Sequence, residues 1–335
     1  MTLLEVTDLN VSFPTADGVV RAVRGVSFGV EAGRTLGIVG ESGSGKTVLT
    51  QTLLGLTPGA EISGRALFDG TDLLSISEAQ MREIRGARIA VIFQDPLTSL
   101  HPLYKVGWQI AEMIRAHDKS VSRQQAHERA TELLGRVGIP RPAQRVDDYP
   151  HQFSGGMRQR AMIAMALSLS PRMIIADEPT TALDVTVQAQ ILELIKRLRR
   201  DFGSSIVLIT HDLGVVAEVA DRVMVMYAGR IVERGTTRDI FTDPWHPYTW
   251  GLHDSIPPME GARPRRLPSI LGSPPSLLDL PPGCAFSPRC PHRFSRCTEK
   301  PVLASSGSHL AACFLSPEQR GQALAARRRP LKEAS

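Results

Sequence analysis

Gly40-Glu41-Ser42-Gly43-Ser44-Gly45-Lys46-Thr47 is the stretch that decides how this chain is read. It has the spacing G-x-x-x-x-G-K-[ST], and each residue type has a physical reason. Gly43 and Gly45 permit backbone conformations that turn successive N–H groups inward onto phosphate oxygens. A helix beginning at Lys46 adds the partial positive charge of its N-terminus. Lys46 is placed to reach the β- and γ-phosphates of ATP, and the Thr47 hydroxyl to ligate Mg²⁺. The flanks supply the context such a loop needs. Thr35-Leu36-Gly37-Ile38-Val39 is an apolar strand leading in, and Lys46–Leu56 reads as the helix leading out.

Working outward, short apolar runs alternate with helical patterns. Leu3–Phe13 and Ala22–Val30 alternate loosely, and residues 88–93, Met173–Ala176, Ser205–Thr210 and Arg222–Tyr227 are strand-like. Val187, Ile191, Leu194, Ile195 and Leu198 fall on one helical face. Residues 96–170 are predominantly helical in pattern, with segments at Val106–His117, Ser122–Gly138 and Arg158–Leu169. The predicted fold class is α/β: a parallel sheet covered on both faces, with an inserted α-helical subdomain. After residue 240 prolines become dense, which predicts a loop-rich, proline-stiffened appendage, and the last twenty residues read as a partly disordered tail.

Strand ends are where an open parallel sheet presents its ligand crevice. Met173-Ile174-Ile175-Ala176 runs into Asp177-Glu178, giving one carboxylate for Mg²⁺ and a second to polarise an attacking water as general base. Gln94 and His211 close two other strand-like runs, where they can sense the metal and contact the γ-phosphate. Phe153-Ser154-Gly155-Gly156-Met157 opens a helix with a hydroxyl and free N–H groups, a second anion site or simply an N-cap. One ATP does not need two such sites in one chain, which points to dimerisation.

Charge and cysteine content bound the remaining possibilities. Residues from 260 onward carry 12 Lys and Arg against 5 Asp and Glu, whereas the preceding part is nearly balanced. The basic residues lie among prolines with little aromatic interleaving, so a solvated basic tail is favoured over a nucleic-acid surface. No stretch approaches the roughly 18 apolar residues of a membrane span, and the start lacks a basic region followed by a long apolar run, so a cytoplasmic chain is expected. All four cysteines, Cys284, Cys290, Cys297 and Cys313, lie near the C-terminus with spacing C-x5-C-x6-C-x15-C. A [4Fe–4S] cluster, Zn²⁺ and four free thiols all remain open on spacing alone.

Taken in order along the chain, these motifs resemble the ATP-binding-cassette (ABC) family over about residues 1–240. The resemblance makes Gly40–Thr47 its Walker A motif, Gln94 its Q-loop, Phe153–Met157 its signature motif and Ile174–Asp177 its Walker B motif. Glu178 then matches its catalytic carboxylate, Ala182-Leu183-Asp184 its D-loop and His211 its switch histidine, and Phe13 stands where an aromatic stacks on adenine. Two cassettes join head to tail in this family, so each Walker A motif is completed by the partner's Ser-Gly-Gly, here Ser154, Gly155 and Gly156. The signature departs from the family pattern at Phe153, for Leu, and at Met157, for Gln.

The finer resemblance is to ATPase subunits of dipeptide/oligopeptide importers. It rests on Phe93-Gln94-Asp95-Pro96-Leu97-Thr98-Ser99-Leu100, on Asp177–Gln190, on His246-Pro247-Tyr248-Thr249 and on the D-type character of Phe153–Arg160. His101 replaces the usual Asn. The resemblance implies an ATPase coupled to uptake of di- or oligopeptides, with nickel, glutathione or another small solute as alternative cargo and a soluble cassette ATPase as the less favoured class. It implies a second, F-type ATPase as heterodimeric partner, two membrane permeases, an extracytoplasmic binding protein and no nucleic acid. It places the chain peripherally on the cytoplasmic face of the inner membrane. It also implies a [4Fe–4S] cluster on the four cysteines, with Zn²⁺ as the alternative. Arg289, Arg293 and Arg296 lie between those cysteines, where they could offset the charge of such a cluster.

Overall fold

A computed structural model describes residues 1–95, 99–181, 184–256 and 270–328. Two sheets organise it. The first is a four-stranded antiparallel sheet in the order β2-β1-β4-β5, built from β1 (Thr2–Thr15), β2 (Gly18–Glu31), β4 (Glu61–Phe68) and β5 (Thr71–Asp72). The second has eight strands in the order β11-β12-β10-β9-β3-β8-β7-β6. Its members are β3 (Thr35–Val39), β6 (Ile89–Ile92), β7 (Met173–Asp177), β8 (Ser205–Thr210), β9 (Arg222–Tyr227), β10 (Arg230–Thr236), β11 (Ala304–Ser306) and β12 (His309–Ala311).

The run β9-β3-β8-β7-β6 is parallel throughout, with Val39 opposite Thr210 and Asp177 opposite Ile209. Every residue of β3, β7 and β8 is buried, as expected of strands covered on both faces. One core cluster joins this sheet to the antiparallel one and contains Leu4, Val11, Phe28, Ile38, Leu49, Phe68 and Ile209. A second packs the helical insert against the opposite side through Ile110, Ile114, Leu134, Phe153, Ile163, Ile191 and Leu208.

Local signals explain the helix limits. Ser122 and Gln125 form a reciprocal capping box that starts Arg123–Arg136. Asp184 caps Val185–Phe202, which ends at Gly203 in the left-handed conformation and buries Ile191, Leu194, Ile195 and Leu198, the stripe read from sequence. The helix after the phosphate loop stops at Thr52, short of the expected Leu56. The signature helix begins at Gly155, earlier than Arg158, because the Ser154 hydroxyl accepts from Met157 N–H at 3.3 Å.

The C-terminal part departs most from expectation. It is not a loop-rich appendage alone, since β12 pairs with β10 through Glu233–Ala311 and Arg234–Leu310 and so extends the main sheet. Tyr248, Leu252 and Phe286 share a core cluster with Val39, Val225 and Tyr227 of the central strands. Of the tail read as partly disordered, Pro317–Arg328 is helical and residues 329–335 lie outside the described residues; the helix docks through Arg327, which donates to Trp250 O at 2.8 Å and pairs with Asp254. Tertiary contacts hold this helix, and none of them is visible in local composition.

Candidate functional site

The phosphate loop leaves β3 and enters the helix Lys46–Thr52. Gly43 and Gly45 both adopt positive φ, +77° and +97°. A Cβ at Gly45 would stand 2.2 Å from the Ala22 carbonyl oxygen, so both conformation and space demand glycine. Lys46 is buried beneath the loop, where Nζ donates to Gly40 O at 2.7 Å and Glu41 O at 3.0 Å. Burial holds its pKa below the usual lysine range, against the pull of Glu178 and Asp177. Ser42 and Gly43 are exposed at the loop tip, whereas the Ser44 hydroxyl is buried with no hydrogen-bond partner. An unpaired buried hydroxyl in a loop whose glycines take positive φ fits an occupant that accepts hydrogen bonds, which is what a phosphate is.

The sheet brings the sequence-distant residues to this loop. Thr47 Oγ1 donates to Asp177 Oδ1 at 3.3 Å across 130 positions. Asp177 ends β7, and burial raises its carboxyl pKa. A buried carboxylate beside a hydroxyl and a lysine suits a divalent cation, which would restore the charge that burial disfavours.

Glu178 adopts φ +47°, a left-handed conformation unusual for a side-chain-bearing residue, and its N–H donates to Ile209 O at 2.9 Å. Its carboxylate gathers three groups: Gln94 Nε2 at 3.2 Å, Thr181 Oγ1 at 3.0 Å and His211 Nδ1 at 3.3 Å. Gln94 follows β6 and His211 follows β8, so the neighbours of β7 deliver them from either side. Phe13 lies half-buried on β1.

Ser154 and Gly155 are exposed at the start of their helix, with open space around Gly155, while Phe153 is buried in the helical core. Phe153 therefore replaces the family's Leu as an apolar anchor and leaves the Ser-Gly-Gly edge free. Gln159, fully buried on the same helix, donates from Nε2 to Pro179 O at 2.6 Å and ties the signature helix to the segment after Glu178. Asp184 is an exposed N-cap that accepts from Val187 N–H. Ala182 and Leu183 of the D-loop, and Pro96, Leu97 and Thr98 after Gln94, lie outside the described residues.

Sequence reasoning missed one set of residues. Glu41 N–H donates to the Tyr248 hydroxyl at 2.7 Å, and the Glu41 carboxylate receives Arg289 in a two-point pair, Nη1–Oε2 2.6 Å and Nη2–Oε1 2.9 Å. Arg289 is almost fully buried, and this pairing holds its pKa above the usual value. Arg289 thus does not serve as a free counter-charge for the cysteines. It clamps the C-terminal segment onto the phosphate loop, 248 positions away. The only signal in sequence was its place in the cysteine segment, which pointed elsewhere.

The four cysteines do converge. Cys284, Cys290, Cys297 and Cys313 all line one small, largely apolar cavity of about 20 Å³ with Phe286, Phe294 and Leu315. None is in a disulfide. Burial pushes Cys290 up to about 12 and raises Cys284 and Cys313. Among the described residues, however, no three His, Cys, Asp or Glu side chains are grouped closely enough to hold a single metal ion. Also among the described residues, no helix is long and apolar enough to cross a membrane.

A family model for the ABC transporter matches residues 23–181, and one for the oligopeptide/dipeptide transporter C-terminal region matches residues 232–297. The chain is 53% identical to the oligopeptide transport ATP-binding protein OppD of Bacillus subtilis, over 93% of this chain and 88% of that one. It is 50% identical to OppD of Salmonella typhimurium, over 95% of each, and 52% identical to the dipeptide transport ATP-binding protein DppD of Bacillus subtilis, over 95% and 96%. Among solved structures, the dimeric post-hydrolysis state of the ATP-binding cassette MJ0796 with ADP and Pi superposes with a TM-score of 0.63 at 25% identity, covering 70% of this chain and 99% of that one. The cbiO1 cassette of Clostridium perfringens gives 0.61 at 29% identity, covering 72% and 91%.

Proposed function

The chain belongs to the ABC transporter ATPase family, within the group carrying the oligopeptide/dipeptide transporter C-terminal region, and we propose that it is the ATP-hydrolysing motor of a di- or oligopeptide importer. The observation that carries the catalytic part is the meeting of Gln94, Glu178 and His211 beside the Thr47–Asp177 contact.

In this reading the N–H groups of Gly43–Thr47, with Lys46 and the Ser44 hydroxyl, hold the phosphates. Phe13 offers its face to the adenine. Thr47 and Asp177, with Gln94, would hold Mg²⁺, which neutralises charge developing on the transferred phosphoryl group. Glu178 takes the proton of the attacking water, and His211, whose Nδ1 lies 3.3 Å from the Glu178 carboxylate, stands beside it and reaches the γ-phosphate. Ser154, Gly155 and Gly156 serve the ATP of a second ATPase subunit, of the F-type, and Asp184 faces the same partner. The exposure of Ser154, Gly155 and Asp184 supports that use.

Exposed Phe93, Leu103, Tyr104 and Trp108, the last two stacked at 4.4 Å, offer an apolar surface suited to a membrane permease. Two permeases and an external binding protein complete the assembly, with this chain peripheral on the cytoplasmic face. The natural division falls near residue 240. Substituting Glu178→Gln should preserve ATP binding and abolish turnover in the assembled transporter. Undiminished turnover would remove Glu178 from the mechanism.

The common cavity of the four cysteines supports a second assignment, a [4Fe–4S] cluster. Four thiols lining one cavity are the ligand set such a cluster takes, and the assignment rests on that convergence. Its place is structural, beside the clamp on Glu41. Anaerobic purification with iron and sulfide analysis tests this, and stoichiometric zinc without acid-labile sulfide would refute it.

A further inference from the structure

A cavity of about 500 Å³ lies at the seam between the ATPase core and the C-terminal segment. Its size is that of a small-molecule site. Four cations line it: Arg24 from β2, Arg230 and Arg234 from β10, and Lys300 from the segment before β11. Asp8 is the one carboxylate among the lining residues. Among the described residues, no carboxylate comes within ion-pair distance of any of the four cations.

Their hydrogen bonds are sparse as well. Arg24 donates to Ala228 O at 3.2 Å and Arg234 to Ser27 O at 2.9 Å, both backbone acceptors. The Nε of Arg230 is buried and has no partner at all. Burial depresses the pKa of each of these groups, and Arg230 adds repulsion toward Arg24 and Lys300, with Asp8 offsetting only part of this at Arg230 and Lys300. Like charges gathered in a partly dehydrated space, with a donor unpaired, make a costly arrangement unless an anion joins them. Val232, Phe286 and Leu303 give the wall an apolar part, alongside Ser27, Tyr227 and His246.

We propose that this cavity is a second anion site, distinct from the ATP site, for a phosphate-bearing small molecule with an apolar body. Guanidinium forks match phosphate oxygens in two-point contacts, and Lys300 adds a mobile point charge. Val232 and its neighbours take the organic part. The ligand would bridge β2 and β10 of the core to residues 283–303, so it braces the segment that also carries Arg289 and the cysteines. Occupancy of this site thereby sets how firmly that segment is held against the phosphate loop.

Inorganic pyrophosphate serves as the probe. Titrated calorimetrically into the full chain carrying Lys46→Ala, which silences the phosphate loop, it should bind saturably at one site. Adding Arg230→Gln or Lys300→Gln should weaken that binding roughly tenfold or more, the worth of one charge-assisted hydrogen bond. Neither change removes an internal ion pair, so both proteins should fold and keep their affinity for ATP at an intact Lys46. In the unsubstituted protein, pyrophosphate should also slow acylation of Lys300, read by peptide mass spectrometry. Phosphatidic acid vesicles distinguish sources: displacement of pyrophosphate by vesicles assigns the phosphate to a lipid headgroup, and indifference to vesicles assigns it to a soluble metabolite. No saturable binding in the Lys46→Ala protein, or equal binding after Arg230→Gln and Lys300→Gln, overturns the proposal. Loss of turnover in Glu178→Gln tests the motor assignment separately and leaves this binding untouched.

Discussion

Arg289→Ala should loosen the phosphate loop although residue 289 is not part of it. The Arg289 side chain is 5% exposed and the Glu41 side chain 27% exposed, and two short contacts join them. Breaking a fully buried pair by removing one partner costs about 3–5 kcal/mol because the other charge is stranded. Glu41 keeps some water, so about 3 kcal/mol is expected here. For a chain of this length that corresponds to roughly 4 °C in Tm. Three carbonyls also lose a donor, those of Leu271, Ile270 and Gly272. Thermal denaturation of the full chain gives the stability term, and titration with a fluorescent ATP analogue gives the functional one, where affinity should fall while Glu178 chemistry stays intact. Arg289→Lys should recover little, because an ammonium cannot reproduce the fork. A cycle with Glu41→Gln should show coupling of more than about 1 kcal/mol, as expected for residues in contact. If Arg289→Ala melts within roughly 1 °C of the parent and binds nucleotide equally well, the clamp has no energetic meaning.

Three further outcomes follow from the same geometry. Gly45→Ala should abolish ATP binding in a filter or fluorescence assay, since its Cβ would meet the Ala22 carbonyl oxygen at 2.2 Å in a positive-φ backbone. Phe153→Ala should cost about 3–5 kcal/mol in denaturant unfolding, as for other buried aromatics, whereas Phe153→Leu should be far milder because the core volume is better kept. His246 is fully buried and desolvation lowers its pKa from 6.5 to about 4, while Nδ1 accepts from Tyr248 N–H. The unfolded chain therefore binds a proton that the folded chain refuses between those values. Stability should fall as pH drops through that window by up to ~1.4 kcal/mol per unit, and His246→Asn should flatten this limb in urea titrations at successive pH values.

Much of the site was legible in the chain itself because its determinants are local or periodic. Gly43, Gly45, Lys46 and Thr47 are specified by spacing, and in the structure the two glycines take positive φ while Lys46 Nζ donates to Gly40 O. The apolar runs of β3, β7 and β8 announce strands buried on both faces, so their ends mark a ligand crevice before any coordinates exist. The stripe from Val187 to Leu198 announces the packed face of its helix in the same way.

What tertiary structure alone decided lies where distant segments meet. No periodicity could place β12 beside β10, because edge pairing is chosen by the complementarity of two surfaces and not by either strand. No motif could reveal that Arg289 closes on Glu41, or that Arg24, Arg230, Arg234 and Lys300 share one cavity. Charges act through space with a reach of several ångströms, and only the folded chain sets those distances. The sequence specified a loop with the spacing of a phosphate cradle; the fold decided that a segment some 250 residues downstream is clamped onto that loop.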